Sequence, residues 1–507
     1  MKHSMLLAGL MLPLLSAVRP QTTPPPAPYF QIRVIDAQTG RGVPLVTLRT
    51  TNELACVTDS NGIVAFNEPG LMRQKVFFTV TSDGYDFPAD HFGYHGAALT
   101  PLAGGHAVLT LTRRNIAERL CRLTGEGIYS DSLLTGASVP LRSPALSGHV
   151  MGQDTAFAVM YRGRMLWFWG DTARPSYPLG NFRTTGAVAS LPAGHTGADA
   201  GLDYRYFTDA DGDPKAMCPT TQPGPIWISG LTTAGKTADA PLFAYYARME
   251  SLDKKREHGW VRWDDVQNQF RFVKTLPLDE PWRFLEGHPI RQSENGVDYL
   301  MGGFTYPVVR VRNDPKALLD TAQYEAYTCL TPKGDIVRDA AGHALYRWQK
   351  EAPPITPQRE AELVRQGKLK LDEAHFLPLD AQGSPALGHG GSVTWNPWRR
   401  KWLLIATQQD GKPSSLGEIV YAEADDPCGP WRRAVKILTH EKYTFYNPVH
   451  HPFLDQEGGR VIYFEGTYTA EFSGNPHLTP RYNYNQILYR LNLDDPRLKA
   501  VRTPDHP

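Results

Sequence analysis

Gly152-Gln153-Asp154-Thr155-Ala156-Phe157-Ala158-Val159-Met160-Tyr161-Arg162-Gly163-Arg164-Met165-Leu166-Trp167-Phe168-Trp169-Gly170-Asp171-Thr172 is the stretch from which the rest of the chain can be read. Thr155 to Tyr161 is apolar and β-prone, Arg162-Gly163 supplies a tight turn, and Met165 to Trp169 returns as a second strand. One carboxylate, Asp154, stands just before the first strand. A second, Asp171, follows the return strand; it reads as a turn residue that hairpin geometry can bring back to the rim occupied by Asp154.

The pattern recurs downstream. A second unit covers about 222–275, with Pro225 to Ile228, Leu242 to Ala247, Trp260 to Trp263 and Phe270 to Val273 as its strands. A third opens at Glu286-Gly287-His288-Pro289 and runs through Tyr299 to Gly303. A fourth opens at Gly388-His389-Gly390-Gly391-Ser392-Val393 and runs through Lys401 to Ile405 and Glu418 to Glu423. A fifth opens at Tyr446-Asn447-Pro448-Val449-His450-His451 and runs through Val461 to Glu465 and Gln486 to Leu491. Each unit is a small antiparallel sheet that cannot bury both faces alone. Stacking such sheets around an axis solves this, so the expectation is an all-β chain ending in a five-bladed β-propeller over 149–495. Two insertions, at 173–222 and 330–385, read as overhanging one face; the first reads as loop, and the second contains a polar helix at Pro357 to Gln366.

Ahead of the repeats, 29–113 alternates like a small β-sandwich, with strands at Phe30 to Asp36, Leu45 to Leu48, Ile63 to Phe66, Val76 to Val80 and Ala107 to Leu111. A connector at 114–148 opens with a short helix expected over Asn115 to Leu123. The first 20 residues pair Lys2 and His3 with an apolar run from Met5 to Val18, which reads as an export signal, followed by a Pro-rich linker at 21–28 and closed off at the far end by a tail at 496–507. The run is short for a bilayer, so no membrane span is expected in the mature chain.

Composition narrows the function classes. Lys+Arg number 53 and Asp+Glu 52, which gives no basic face for a nucleic-acid partner. The five cysteines, Cys56, Cys121, Cys218, Cys329 and Cys428, lie far apart with no metal-type spacing. No phosphate loop, dinucleotide fingerprint, zinc helix or nucleophile elbow is present. Asp209, Asp211 and Asp213 alternate like the start of a calcium loop, but its Gly and distal Glu are out of register.

Two resemblances sharpen these expectations. Val34 to Pro44 followed by Thr58-Asp59-Ser60-Asn61-Gly62 resembles the transthyretin-like module attached to many exported enzymes, a unit without chemistry of its own. Tyr421 to Trp431 is similar to the blade ending of five-bladed glycosidase propellers of the arabinanase and β-xylosidase type, and Leu166 to Thr172 resembles exported propellers that include D-arabinan-cleaving proteins. The resemblance implies a glycan substrate, Asp154 as general base and Glu286 as general acid. It implies His389 near the axis beside a metal ion or water; no cofactor is required, and calcium is the metal the family places there. The family's second-blade Asp has no match between 222 and 250, and the first-blade motif is Gln-Asp-Thr rather than Asp-Pro.

Glycoside hydrolysis needs two carboxyl groups flanking the scissile bond, one protonated as acid and one ionised as base or nucleophile, the place of Asp154; their separation, about 5 Å or roughly 6.5–9.5 Å, sets retention or inversion. Residues that open separate blades become neighbours at one end of the axis, which brings Asp154, Glu286, His389 and one of His450 and His451 into consideration. Glu418 and Glu465 are the substitute acids, the latter because burial among aromatics raises a carboxyl's pKa. Asp171, Trp169, His288, His389, His451 and Tyr446 are the expected substrate contacts. Each has a plainer alternative: strand caps for the carboxylates, satisfied structural imidazoles for the histidines, packing between blades for the aromatics. The leading expectation is an exported glycoside hydrolase. A glycan-binding propeller without catalysis is the alternative, and a polysaccharide lyase using a His/Tyr pair is the third.

Overall fold

The structure, a computed structural model, describes residues 28–181 and 183–502. The export signal, most of the Pro-rich linker and residues 503–507 of the tail lie outside the described residues. The chain is all-β. No helix among the described residues is long and apolar enough to cross a membrane.

Near the N-terminus two four-stranded sheets share one apolar core. One orders Ile63–Phe66, Phe30–Asp36, His106–Arg113 and Tyr85–Asp86; the other orders Ala55–Val57, Thr47–Thr50, Val76–Thr81 and Gly96–Leu99. Alternation along Phe30–Asp36 turns Phe30, Ile32 and Val34 inward against Leu48, Phe66 and Phe78.

Five further sheets follow in chain order. The first comprises Phe157–Tyr161, Arg164–Trp169, Thr185–Ser190 and Asp203–Tyr206. The second comprises Ile226–Thr233, Leu242–Met249, Lys255–Asp264 and Gln269–Thr275. The third has five strands, Ile290–Glu294, Val297–Gly302, Val309–Arg312, Glu325–Thr328 and Arg347–Gln349. The fourth comprises Gly388–Asn396, Lys401–Gln408, Ile419–Ala424 and Ala434–Leu438. The fifth comprises Thr444–His450, Val461–Thr469 and Asn485–Asn492, completed by Glu118–Arg122 from far upstream.

The first strands of all five sheets line one cavity of about 480 Å³, through Val159, Thr232, Ile290, Thr394 and Val449 among others. Apolar clusters fill the spaces between consecutive sheets. Phe168 and Trp263 meet between the first and second, Trp260 and Leu300 between the second and third, and Ile405 and Phe464 between the fourth and fifth.

Two sequence expectations are corrected. The helix expected over Asn115 to Leu123 is instead the strand Glu118–Arg122, paired antiparallel with Asn485–Asn492 through Ile487↔Arg122 and Arg490↔Glu118. All five of its residues are buried, which needs a partner on each side that an isolated helix would lack. The insertion at 173–222 is not all loop: it supplies two strands of the first sheet and a ribbon pairing Gly152–Gln153, Thr172–Arg174 and Tyr177–Asn181. The expected helix at 357–366 forms over Pro357–Arg365, capped by Thr356, whose side chain accepts from the Arg359 N–H.

Arg119 binds the N-terminal sheets to this body. Fully buried, it donates to Tyr489 Oη at 3.0 Å, to the carbonyls of Pro44, Leu45 and Asp83 at 3.1, 3.3 and 2.8 Å, and to Ser82 Oγ at 3.0 Å. The five cysteines are all unpaired, four of them buried.

Candidate active site

The site grows from the hairpin at 152–172. Antiparallel pairing of Phe157 with Phe168 and of Gln153 with Thr172 puts Asp154 directly across from Asp171. The Asp154 N–H donates to the Asp171 carbonyl at 3.3 Å, and the Asp171 N–H donates to Asp154 Oδ1 at 2.8 Å. Gly170 makes room: a Cβ there would sit 2.3 Å from Asp154 Oδ1.

Other sheets complete the surroundings. From the fifth, Tyr446 Oη donates to Asp154 Oδ2 at 2.9 Å, and the Tyr484 hydroxyl also bonds this carboxylate. From the second, Trp227 Nε1 donates to Asp171 Oδ1 at 2.8 Å. Asn447 Nδ2 donates to Thr155 Oγ1 at 2.9 Å, and the Thr155 N–H donates to Thr467 Oγ1 at 2.9 Å. From the fourth, Gly390 lies against Asn447, and the His389 ring meets Phe304 of the third sheet edge-on at 5.4 Å. The buried Nδ1 of His389 has no hydrogen-bond partner among the described residues. Beneath lies a buried polar floor: Gln153 Nε2 donates to Thr185 Oγ1 at 2.7 Å, and Gln486 Nε2 to Thr467 Oγ1 at 2.8 Å.

Backbone strain gathers here. Thr155, Asn447, Phe472 and Tyr484 have φ of +48°, +49°, +62° and +61°, a region costly for a β-branched or aromatic residue. The surrounding hydrogen bonds hold Thr155 and Asn447 in it.

Burial raises both carboxyls, against different sets of donors. Burial pushes the Asp171 carboxyl up to about 7, the Asp154 charge adds to this, and the Trp227 N–H opposes it. Burial also raises Asp154, but donation from Tyr446, the Asp171 N–H, Tyr484 and Thr155 favours its ionised form. A third carboxyl, Glu471, stands at the solvent rim on the loop after Val461–Thr469; partial burial and then the Asp154 charge raise it. The arrangement sets a carboxyl raised to about 7 beside one held by four hydrogen-bond donors, an unequal pair of the kind that acid–base chemistry uses.

The remaining predicted residues fall elsewhere. Glu286 is half-buried near Lys255 and Tyr245; burial raises its carboxyl and the Lys255 charge lowers it, and no described contact joins it to Asp154 or Asp171. Glu418 lies at the outer side of the fourth sheet, where its carboxyl meets Lys436 Nζ at 2.8 Å and accepts from Thr439 Oγ1 at 2.6 Å. Glu465, expected as a substitute acid, has no exposed surface: its Oε1 takes His451 Nε2 at 2.7 Å and Trp167 Nε1 at 2.8 Å, a bridge between the fifth and first sheets. His451 is thereby buried rather than set out for substrate. Trp169, expected to stack on sugar, is wholly buried against Tyr204 and Tyr206 at 4.9 and 5.4 Å. His288 packs on Phe157 at 5.1 Å in the central cavity, and burial then the neighbouring His451 push it down to about 3. The Asp209–Asp213 turn is self-capped, with Asp209 Oδ1 accepting from the Asp211 and Asp213 N–H groups, and among the described residues no cluster fit for a metal ion occurs.

Sequence reasoning missed Trp227, Tyr484 as a carboxylate partner, Asn447 and Glu471. For Trp227, Asn447 and Tyr484 the signal was only position, in or beside strands that share a rim with Asp154, and Glu471, in a loop past the end of its strand, had none.

No family model matches the chain, and no curated protein matches it. Among solved structures it is similar to the GH43_1 enzyme from Xanthomonas citri complexed with xylotriose, at 12% identity and TM-score 0.32, covering 68% of this chain and 87% of that one. It is similar to a putative exo-beta-1,3-galactanase from Bifidobacterium bifidum s17, at 11% identity and TM-score 0.34, covering 73% and 92%. A protein of unknown function from Dyadobacter fermentans is similar at 11% identity and TM-score 0.37, covering 74% of this chain and 99% of that one.

Proposed function

We propose that the chain is an exported glycoside hydrolase in which a transthyretin-like sandwich precedes a five-bladed propeller. The five successive sheets whose first strands line one cavity support the propeller, and the apolar run from Met5 to Val18 supports export. In this reading Asp171 donates its proton to the glycosidic oxygen. Asp154, ionised and held by Tyr446 and Tyr484, faces the positive charge that develops on the sugar ring. Phe304 and Phe472, 50% and 65% exposed, offer faces for sugar rings at the rim.

The observation that carries the reading is the cross-strand pair itself: two carboxyls in one hairpin, one tethered by tyrosine hydroxyls and the other raised to about 7. The test is a product screen of the secreted form against a panel of plant and microbial polysaccharides, with Asp154→Asn and Asp171→Asn alongside. Reducing ends released by the wild type and by neither variant are the expected result. Glycan binding without release from any member would reduce the chain to a binding module, and products absorbing in the ultraviolet would make it a lyase.

A further inference from the structure

The hydrolase reading leaves one part unassigned, the group that activates water. Asp154 is poorly placed for it. Both of its oxygens already accept hydrogen bonds, Oδ1 from the Asp171 N–H and Oδ2 from Tyr446. Directly opposed residues on paired strands also stand only about 4.5–5.5 Å apart at Cβ. A base and an acid working through an intervening water need their carboxyls roughly 6.5–9.5 Å apart.

Resting on that reading, we propose that Glu471 is the general base of the reaction. It sits where residues 470–484 leave the strand Val461–Thr469 of the fifth sheet. The root of this loop is fixed against the site. Thr467 accepts from the Thr155 N–H, and Thr444 Oγ1 donates to the Glu471 carbonyl at 2.5 Å. The adjoining Phe472 meets Tyr446 edge-on at 6.2 Å, and Tyr446 in turn holds Asp154. The Glu471 side chain is exposed and makes no described hydrogen bond, so both of its oxygens are open to water. Its charge adds to the upward shifts of Asp171, Tyr446 and Tyr484, as that of a neighbouring carboxylate does.

The step balances simply. The water oxygen bonds to the anomeric carbon and its proton passes to Glu471. The carbon–oxygen glycosidic bond breaks, and the leaving oxygen takes the Asp171 proton. The anomeric configuration inverts.

The test uses the full secreted chain and the polysaccharide identified in the screen. Glu471→Ala is expected to lower kcat by about a hundredfold or more with little change in KM. Sodium azide should restore turnover by giving a glycosyl azide of inverted configuration, and Glu471→Asp should retain more activity than Glu471→Ala. NMR of the first wild-type product is expected to show inversion. Carbon-13 NMR of the side-chain carboxyls, independent of activity, should show the Asp171 titration moving to lower pH in Glu471→Gln. Retention of configuration, an unimpaired Glu471→Ala, or an unmoved Asp171 titration each overturns the assignment while leaving the hydrolase reading intact. A wild type that releases nothing overturns both.

Discussion

Replacing Asp171 by Asn should abolish activity and yet stabilise the protein at alkaline pH. Asp171 has a folded-state pKa of about 7 against an ordinary 3.8. A raised folded pKa means that its contribution is fully favourable below about 4 and is lost as pH rises through 7. At 1.36 kcal/mol per unit, the loss by pH 8 is at most about 4 kcal/mol, and about 2–4 once solvent screening at this half-buried position is counted. Asn removes that ionisation and keeps an oxygen for Trp227 Nε1. With an unfolding entropy of about 2.1 cal/mol/K per residue over 507 residues, each kcal/mol moves Tm by about 1 °C. The assay is thermal unfolding of the wild type and Asp171→Asn from pH 4 to 8.5. The variant should match the wild type near pH 4 and lead by about 2–4 °C at pH 8. A gap that is constant across this range, or that shrinks as pH rises, would refute the claim that Asp171 resists ionisation.

Four other outcomes are expected. Tyr446→Phe removes a donor to ionised Asp154, so kcat/KM should fall about tenfold and the acid limb of its pH profile should move to higher pH; an unmoved limb rejects the tether. Gly170→Ala sets a methyl 2.3 Å from Asp154 Oδ1 and should cost about a hundredfold in activity while the fold persists by circular dichroism. Glu465→Gln should cost about 1–3 kcal/mol in denaturant unfolding and leave kcat of the folded protein within about twofold, and a loss of kcat without loss of stability would return Glu465 to the chemistry. Arg119→Met strips five acceptors of their buried donor and should destabilise by about 3–5 kcal/mol, with faster proteolysis near 114–117; a cost under about 1 kcal/mol denies it the role of a clasp.

How far the sequence could be read depended on how local each feature was. The hairpin at 152–172 is specified by alternation and by Arg162-Gly163, so the facing of Asp154 and Asp171 was within reach once the return strand was traced to its end. Glu118–Arg122 was misread because its strand partner, Asn485–Asn492, lies more than 350 residues away, and nothing in Glu-Arg-Leu-Cys-Arg alone shows that both faces will be covered. Glu465 and Trp169 carried the residue types of a site, but alternation along their strands turns them into the seam between the fifth and first sheets. Glu471 was invisible because it stands in an irregular loop with no motif, tied to the hairpin through Thr155–Thr467 at its root and Tyr484–Asp154 at its far end.

The pairing of Glu118–Arg122 with Asn485–Asn492 also sets an order of events during synthesis. A growing chain can form the first four sheets as they emerge, but the strand at 118–122 must wait, with an unpaired edge, until the far end of the chain arrives. Until then the Thr155–Thr467 and Asp154–Tyr446 contacts do not exist either, since one partner of each belongs to the late-arriving sheet. On the hydrolase reading, then, Asp154 lacks its tyrosine tether until the fifth sheet packs against the first.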